Sequence, residues 1–440
     1  MSNFQTILVA VFLAFFVFAV LIFSGAIKIG GLSGGNGAPA GKVIIWGTFS
    51  SSALADTLDS INKSNKDLNV IYIRKDLSTY QQDIIEAFAN GVGPDLFIIT
   101  PDMIQKNNNF IYKIPYTSYS QKTFTDTFID GADIYLDSEG TLGFPLVVDP
   151  MVLYYNKDIL SNEAIVSPPV SWDELFTLNP SLTKRDNGGT ISQSMIALGQ
   201  YSNVNNAKDI LATLLIQNGN PIVARGSDPT KISFVSMLNS NPSNLSISPM
   251  EAVIKFFVEF SNPANTAYSW NRSLPNSLDM FTGGKLAFYI GKASELFNIE
   301  SINPNLSFDV TGIPQIKSST AKRTYGEIYA VAINKKSSNL AGAFGVAGML
   351  SAGDNAKNFS VAVSLPPASR ALLSTKPTDP YLFTFFKSAL ISRSWLDPDK
   401  VKSDSIFKEM IENTLSNNLS VGEAINKAQG QLDLLLKKQL

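Results

Sequence analysis

The 440-residue chain contains no cysteine and no histidine. The first absence removes a disulfide framework, Cys/His zinc sites and a thiol nucleophile. The second removes a Ser-His-Asp triad and a histidine general base, so proton transfer in an enzyme of this composition falls to carboxylates, Lys or Tyr. Charge is also scarce. Asp, Glu, Lys and Arg make up 16% of residues, against roughly 25% in an average soluble protein. The net charge is -2, which gives no pull toward nucleic acid or anionic lipid. Asn, Ser and Thr fill the gap and predict a neutral, hydrogen-bonding surface. Missing cysteines do not identify the compartment, because a secreted protein can simply lack disulfides.

The N-terminus lacks charge too: no ionisable side chain occurs from Ser2 to Ile27. Residues 7–23 are an unbroken apolar run, and Ser24, Gly25, Ala26 and Ile27 extend it to a length that crosses a hydrocarbon core of about 30 Å. A buried core helix normally keeps a polar face. A signal peptide normally has a basic n-region and a shorter apolar stretch. The segment therefore reads as an uncleaved single-pass signal-anchor, with cleavage after the small-residue Ser24-Gly25-Ala26 as the alternative. Gly-rich residues 30–41 form a flexible linker of roughly 20 Å average span.

From Lys42 onward, short apolar runs alternate with amphipathic stretches. Strands are expected at 42–47, 70–73 and 95–99, and helices at 54–61 and 80–89, where Leu54, Leu58 and Ile61 have helical spacing. This β-α-β-α-β order predicts an α/β fold with a parallel sheet, whose ligands bind beyond the carboxyl ends of the strands. Ser171-Trp172-Asp173-Glu174 reads as a capping box with Ser171 as N-cap. Further helices are expected at 207–217, 250–260 and 406–415, and strands at 286–290 and 308–310. Gly283-Gly284-Lys285 lacks the phosphate-loop pattern, since Leu286 occupies the hydroxyl position; a helix end before a strand fits it better.

Several segments, in order, resemble one family. They are Lys42-Val43-Ile44-Ile45-Trp46, Gly91-Val92-Gly93-Pro94-Asp95-Leu96, Gly143-Phe144-Pro145-Leu146 with Leu153-Tyr154-Tyr155-Asn156-Lys157-Asp158, Pro169-Val170-Ser171-Trp172-Asp173-Glu174-Leu175, and Phe281-Thr282-Gly283-Gly284-Lys285-Leu286-Ala287. A strand at 326–333 followed by the Ala341-x-x-Phe344 helix completes the set. Each match alone is weak; together they resemble the bacterial extracellular solute-binding proteins of family 1, the maltose-binding-like components of ABC importers. The resemblance implies a type II periplasmic-binding-protein-like fold of two lobes with an interlobe hinge. It places the anchor and linker at 1–41, lobe 1 at 42–147 and 308–356, and lobe 2 at 148–307 and 357–440, with crossings near 147–149, 308–310 and 352–358.

The same resemblance implies no enzyme activity and no cofactor. The partners would be a carbohydrate ligand and importer permease subunits, with the binding domain outside the cytoplasm. It suggests Asp102 and Asp149 as acidic ligand contacts; a turn residue and a hinge residue are the bland alternatives. Thr48 and Ser50 follow the first strand and either line the cleft or start a helix. Tyr201 lies near the family's second-lobe aromatic, Trp270 is either a stacking platform or a packing residue, Tyr325 and Glu327 flank Gly326 at a strand entry, and Arg370 follows Pro366-Pro367 where some sugar binders present a cleft residue. One departure is Gly291-Lys292-Ala293-Ser294-Glu295, where maltose-like binders often carry Gly-x-Trp, which weakens the case for a maltodextrin; Lys292 and Glu295 either serve a charged or more polar ligand or pair on the surface. Another is the absence of a lipidated cysteine, for which the apolar N-terminus would substitute. The competing readings are an anchored receptor without a transporter and a glycosidase using Asp102 and Asp149.

Overall fold

The computed structural model describes residues 39–225, 234–241 and 245–438. The expected anchor lies outside these residues, and among the described residues no helix is long and apolar enough to cross a membrane. Strand β1 (Gly41–Gly47) buries Val43 and Ile45 on one face. The helix Ser51–Ser64 covers the sheet with Leu54, Leu58 and Ile61, the apolar stripe that the spacing predicts. Strands β2 (Leu68–Arg74) and β3 (Leu96–Ile99) both pair in parallel with β1. Between them the helix Tyr80–Ala89 ends at Asn90, and Gly91 turns the chain with φ +70°, a left-handed conformation suited to glycine.

The strand β4 (Phe144–Asn156) is 13 residues long and buried almost throughout. The later strands are β5 (Ile191–Ile196), β6 (Leu286–Lys292), β7 (Phe308–Gly312) and β8 (Thr324–Ile333). The first half of β4 pairs antiparallel with β8, which also pairs with β3. Its second half lies between β6 and β7, and β6 pairs in parallel with β5. Two sheets, β2-β1-β3-β8-β4 and β7-β4-β6-β5, thus share β4 and continue into one another. This is an α/β fold of two lobes whose first link is a single uninterrupted strand.

The remaining crossings differ from the expected ones. Strand β7, expected to begin the return to lobe 1, stays in lobe 2, where Phe308 packs against Tyr154 and Phe281. The return runs on β8. At that crossing Gly326 passes so close to Ser392 that an added Cβ would lie 2.6 Å from its Oγ. The helix Gly353–Val363, expected to open the last crossing, packs instead on Ser51–Ser64 in lobe 1 through buried Ala356 and Phe359. The chain then bonds alongside β4, with Val148 N–H donating to Pro366 O and Ala368 N–H donating to Leu146 O. It leaves lobe 1 only between the helices Arg370–Leu373 and Pro380–Leu390, the second of which packs on β7 and β4.

The helix expected from Ser171 spans Glu174–Leu182. Glu174 accepts from the Ser171 backbone N–H and hydroxyl at 3.1 and 2.9 Å, so half of the capping box forms around a preceding turn. The Gly283-Gly284 pair closes the helix Ser277–Thr282 directly before β6, with Gly284 at φ +71°.

Candidate ligand site at the hinge

The middle of β4 and the start of β8 run side by side where the lobes join, and Glu327 stands directly opposite Asp149. Two carboxylates at opposed positions of an antiparallel pair repel each other. Both are also buried, at 4% and 2% exposure, so each needs a partner of its own. Glu327 meets Lys292 at 3.4 Å and also pairs with Lys400. Asp149 accepts two hydrogen bonds from Ser294, 2.9 Å from its N–H and 2.6 Å from its hydroxyl.

The two acids accordingly titrate apart. For Asp149, burial dominates over Lys292 and the Ser294 bonds and pushes the carboxyl up to about 6. For Glu327, burial also favours the neutral acid, but Lys292 and Lys400 outweigh it and hold the carboxyl at about 2. Lys292 is itself buried, yet Asp209 at 3.0 Å and Glu327 keep it protonated well above the usual lysine range. Beside this group, Lys208 donates to Asp397 at 2.7 Å and to Ser403 at 2.9 Å, which ties the helix Ala207–Gln217 to the helix Lys400–Leu415.

Lobe 1 meets this floor through the ends of its parallel strands. The Tyr80 hydroxyl donates to Ile98 O at 2.8 Å and lies 2.9 Å from Trp46 O, fixing β1 against β3. The Tyr135 hydroxyl donates to Ile328 O at 2.6 Å and lies 3.2 Å from Ile99 O, fixing β3 against β8. Thr48 is half-buried, and Ser50 is an exposed N-cap whose hydroxyl lies 3.0 Å from that of Ser52. Asp102 starts the helix Pro101–Asn107 and accepts from Thr100 at 2.6 Å. Four residues on, Lys106 pairs with Asp399 of lobe 2 at 3.2 Å. At another point of the rim, Arg225 of lobe 2 reaches Asp137 of lobe 1 at 2.9 Å. These pairs hold the lobes together. Two surface concavities, of about 430 Å³ beside Glu174 and Lys317 and 420 Å³ beside Arg272 and Glu412, lie on lobe 2 and are not lined by hinge residues.

The sequence candidates therefore separate. Asp149 and Glu327 are paired at the hinge, with Tyr325 two residues before Glu327 on β8; Asp102 starts a helix of lobe 1, and Thr48 and Ser50 follow β1. Tyr325 is buried, and burial raises its hydroxyl well above the ordinary tyrosine range. Tyr201 is buried in lobe 2, where its hydroxyl donates to Asp404 at 2.7 Å. Trp270 is wholly buried and its indole N–H donates to Asn203 at 3.0 Å; this is the packing role, and the stacking platform is excluded because no face of the ring is open. Arg370 is engaged within lobe 1, where Asp130 binds both it and Arg393.

Lys292 and Glu295 do not pair with each other: Lys292 turns to Asp209 and Glu327, while Glu295 accepts from Tyr289, from Asn206 and from the Lys292 backbone. Lys400, Asp397, Asp209, Lys208, Ser294 and Tyr329 were not singled out from sequence. The signal at Lys400 is its place directly after the N-cap Asp399, which accepts from Lys402 N–H. Tyr329 stands two residues beyond Glu327 on β8 and packs on Phe49 with ring centroids 5.0 Å apart.

Comparison with solved structures finds the same fold in sugar-binding proteins. A cyclic α-maltosyl-1,6-maltose-binding protein from Arthrobacter globiformis is 15% identical, with a TM-score of 0.72, over 91% of this chain and 100% of that one. A cyclo/maltodextrin-binding protein complexed with maltotetraose is 18% identical, with a TM-score of 0.68, over 89% and 96%. The GacH receptor of Streptomyces glaucescens, solved unliganded and with acarbose, is 16% identical, with a TM-score of 0.64, over 90% and 99%. No curated protein sequence matches the chain. The model of the bacterial extracellular solute-binding protein family matches residues 56–383, which is most of the chain, and the protein belongs to that family.

Proposed function

We propose that this chain is the solute-binding component of an ABC importer and takes a carbohydrate between its lobes. In this reading it is a binding protein and not an enzyme, and it is held at the outer face of the membrane by its uncleaved N-terminal segment. The observation that carries the ligand class is the polar set at the lobe 1 strand ends: Asp102 and Thr48 are half-buried and Ser50 is exposed, and their acceptors and donors suit a polyhydroxylated, uncharged molecule. Supporting this, the structural relatives are described with maltotetraose, acarbose and a cyclic maltose derivative. The hinge lysines are already paired with carboxylates, which leaves little uncompensated positive charge for an anionic ligand. The anchor rests on apolar residues 7–23 followed by a Gly-rich linker.

Calorimetric titration of the full-length chain in detergent with maltotetraose, trehalose and sorbitol tests the ligand class. The expected result is saturable binding of at least one of them, with a melting temperature that rises with ligand concentration. Binding of an amino acid or a peptide in their place would overturn the carbohydrate reading.

A further inference from the structure

The parallel strands of lobe 1 have two ends, and the ligand candidates lie at only one of them. Thr48 and Ser50 follow the end of β1, whereas the start of β1 is where the chain enters the body. Three contacts fix that entry. Asn339 Nδ2 donates to Ala40 O at 2.7 Å, Gly41 N–H donates to Asp67 O at 2.7 Å, and Pro39 rests on Gly345, where an added Cβ would run into its ring. The apolar N-terminal run and its linker therefore lead to this end of lobe 1.

Two features share that end. The first is the helix Leu340–Leu350, whose eleven residues include no polar or charged side chain. Its inner side is buried in lobe 1, while Leu340, Phe344 and Met349 stay half-buried. Its N-cap Asn339 holds one end beside Ala40, and near the other end Met349 Sδ lies 3.5 Å from Asn65 Nδ2. The helix thus runs from the start of β1 to the turn before β2. The second feature is charge. Lys42 lies at the start of β1, Lys66 stands two residues before β2, and Lys335 and Lys336 follow β8, whose last residue pairs with the first of β3. All four lysines are exposed, and none has an ion-pair partner among the described residues. Of the carboxylates beside them, Asp67 is exposed, while Asp95 accepts from Ile44 N–H at 2.9 Å and from the Ser337 hydroxyl at 2.6 Å. The whole chain carries -2, yet this end is locally positive.

We propose that this end of lobe 1 rests on an anionic lipid surface, with the uncharged helix Leu340–Leu350 toward the bilayer and Lys42, Lys66, Lys335 and Lys336 on its phosphates. Lysines next to a membrane-entry point are attracted by an anionic leaflet, and an apolar face between them suits the headgroup boundary. The inference rests on the anchor reading for how the chain reaches the membrane, but not for the lysine face itself. The ligand-facing ends of the strands then stand about 20 Å farther from the lipid, the length of β1, and open toward the medium. The contact is electrostatic and reversible, so the body can leave it on its linker to meet a permease.

The chain has no cysteine, so a fluorophore can be placed through Ser338→Cys, beside the lysines, or through Ser51→Cys, at the opposite end; both positions are exposed. Full-length protein is reconstituted with vesicles of phosphatidylcholine alone, or of equal parts phosphatidylcholine and phosphatidylglycerol, each carrying a headgroup quencher, and then floated. In the anionic vesicles at low salt, the Ser338 label is expected to be quenched at least twofold more than the Ser51 label. The difference is expected to vanish in phosphatidylcholine, at molar salt, and in the triple variant Lys66→Glu, Lys335→Glu, Lys336→Glu. Equal quenching in the two kinds of vesicle overturns the proposal, and this comparison decides even if the triple variant is unstable. A disulfide between Ser338→Cys copies in place of quenching assigns the face to a second copy and also overturns it. Flotation separates the two readings. Flotation with both kinds of vesicle supports the anchor whatever the quenching shows. Flotation with the anionic vesicles alone removes the anchor and keeps the lysine face. Flotation with neither removes both.

Discussion

The interlobe face has two kinds of ion pair, and they differ in what they depend on. On the hinge floor, Glu327, Lys292 and Asp209 come from β8, β6 and the helix Ala207–Gln217, and their side chains are 5%, 14% and 9% exposed. On the rim, Lys106–Asp399 and Arg225–Asp137 join residues that belong to opposite lobes, with Lys106 21% and Arg225 42% exposed. Glu327 sits on the crossing strand β8, and Lys292 and Asp209 sit on lobe 2 elements packed beside it, so lobe motion about the hinge should leave them neighbours. Rim partners lie on opposite lobes, so lobe separation would part them. The floor is therefore part of the fold, and the rim is a contact between two bodies, weak enough to be exchanged for a ligand.

The sharpest way to break this comparison is Glu327→Gln. It leaves Lys292 and Lys400 facing a neutral group in a buried site, and removing one partner of a buried pair costs about 3–5 kcal/mol. The expected outcome is a large fall in the denaturant midpoint at pH 7, partly recovered by combining it with Lys292→Met. A loss no larger than that of a rim mutation would put floor and rim in the same class.

Asp149→Asn should have a smaller effect that depends on pH in the opposite sense. Burial holds the native Asp149 carboxyl up at about 6, against 3.8 for an unperturbed aspartate. Between these values the native state holds a proton that the unfolded chain has released, so this group's contribution falls as pH rises, and the penalty is complete above about 6. Its size is on the order of 2–3 kcal/mol. Glu327 runs the other way: with a native value of about 2 against 4.5, its stabilisation is complete above about 4.5 and is lost as pH falls toward 2. Melting curves from pH 2 to 7.5 should show Asp149→Asn gaining on the wild type as pH rises to about 6, whereas Glu327→Gln falls further behind the wild type as pH rises from 2 to 4.5. Parallel profiles for the two variants would show that the carboxylates are not held apart as described.

The smallest effect on stability is expected at the rim. Lys106→Ala should change the folding free energy by less than about 1 kcal/mol, yet widen the distribution of interlobe distances. The chain has no cysteine, so a pair of introduced cysteines, one per lobe, can carry spin labels without background. An unchanged distance distribution in Lys106→Ala would mean that this contact does not hold the closed arrangement.

Much of the fold was legible because it is local. The spacing of Leu54, Leu58 and Ile61 and the alternation in β1 report single elements, and the helix Tyr80–Ala89 falls where the pattern put it. The expected α/β order and the family resemblance both hold. The crossings were harder to read. Strand β4 is buried on both faces, so it shows no alternation, and Pro150 in its middle interrupts the apolar run. Strand β7 has the same apolar character as a return strand, and only its pairing with residues 152–156 puts it in lobe 2. Among site residues, Asp149 and Glu327 were expected to flank strand ends, whereas both lie inside strands and stand opposite each other through the pairing of β4 with β8. Trp270 misled because a tryptophan near a motif looks the same whether its ring is open or enclosed.

By itself the sequence determined the alternation of strands and helices, the family, the apolar N-terminal run, and the exclusion of thiol, histidine and Cys/His metal chemistry. Tertiary structure alone decided which charges meet. Lys208 and Asp397 are 189 positions apart, Asp149 and Ser294 are 145 apart, and Lys400 and Glu327 are 73 apart. Helical and strand periodicity couples residues within a few positions of each other, whereas a Coulomb interaction in a buried site depends on distance in space and on the water excluded around it. That is why the same sequence announces its strands yet leaves the partners of its buried carboxylates to be set by how three crossing segments pack.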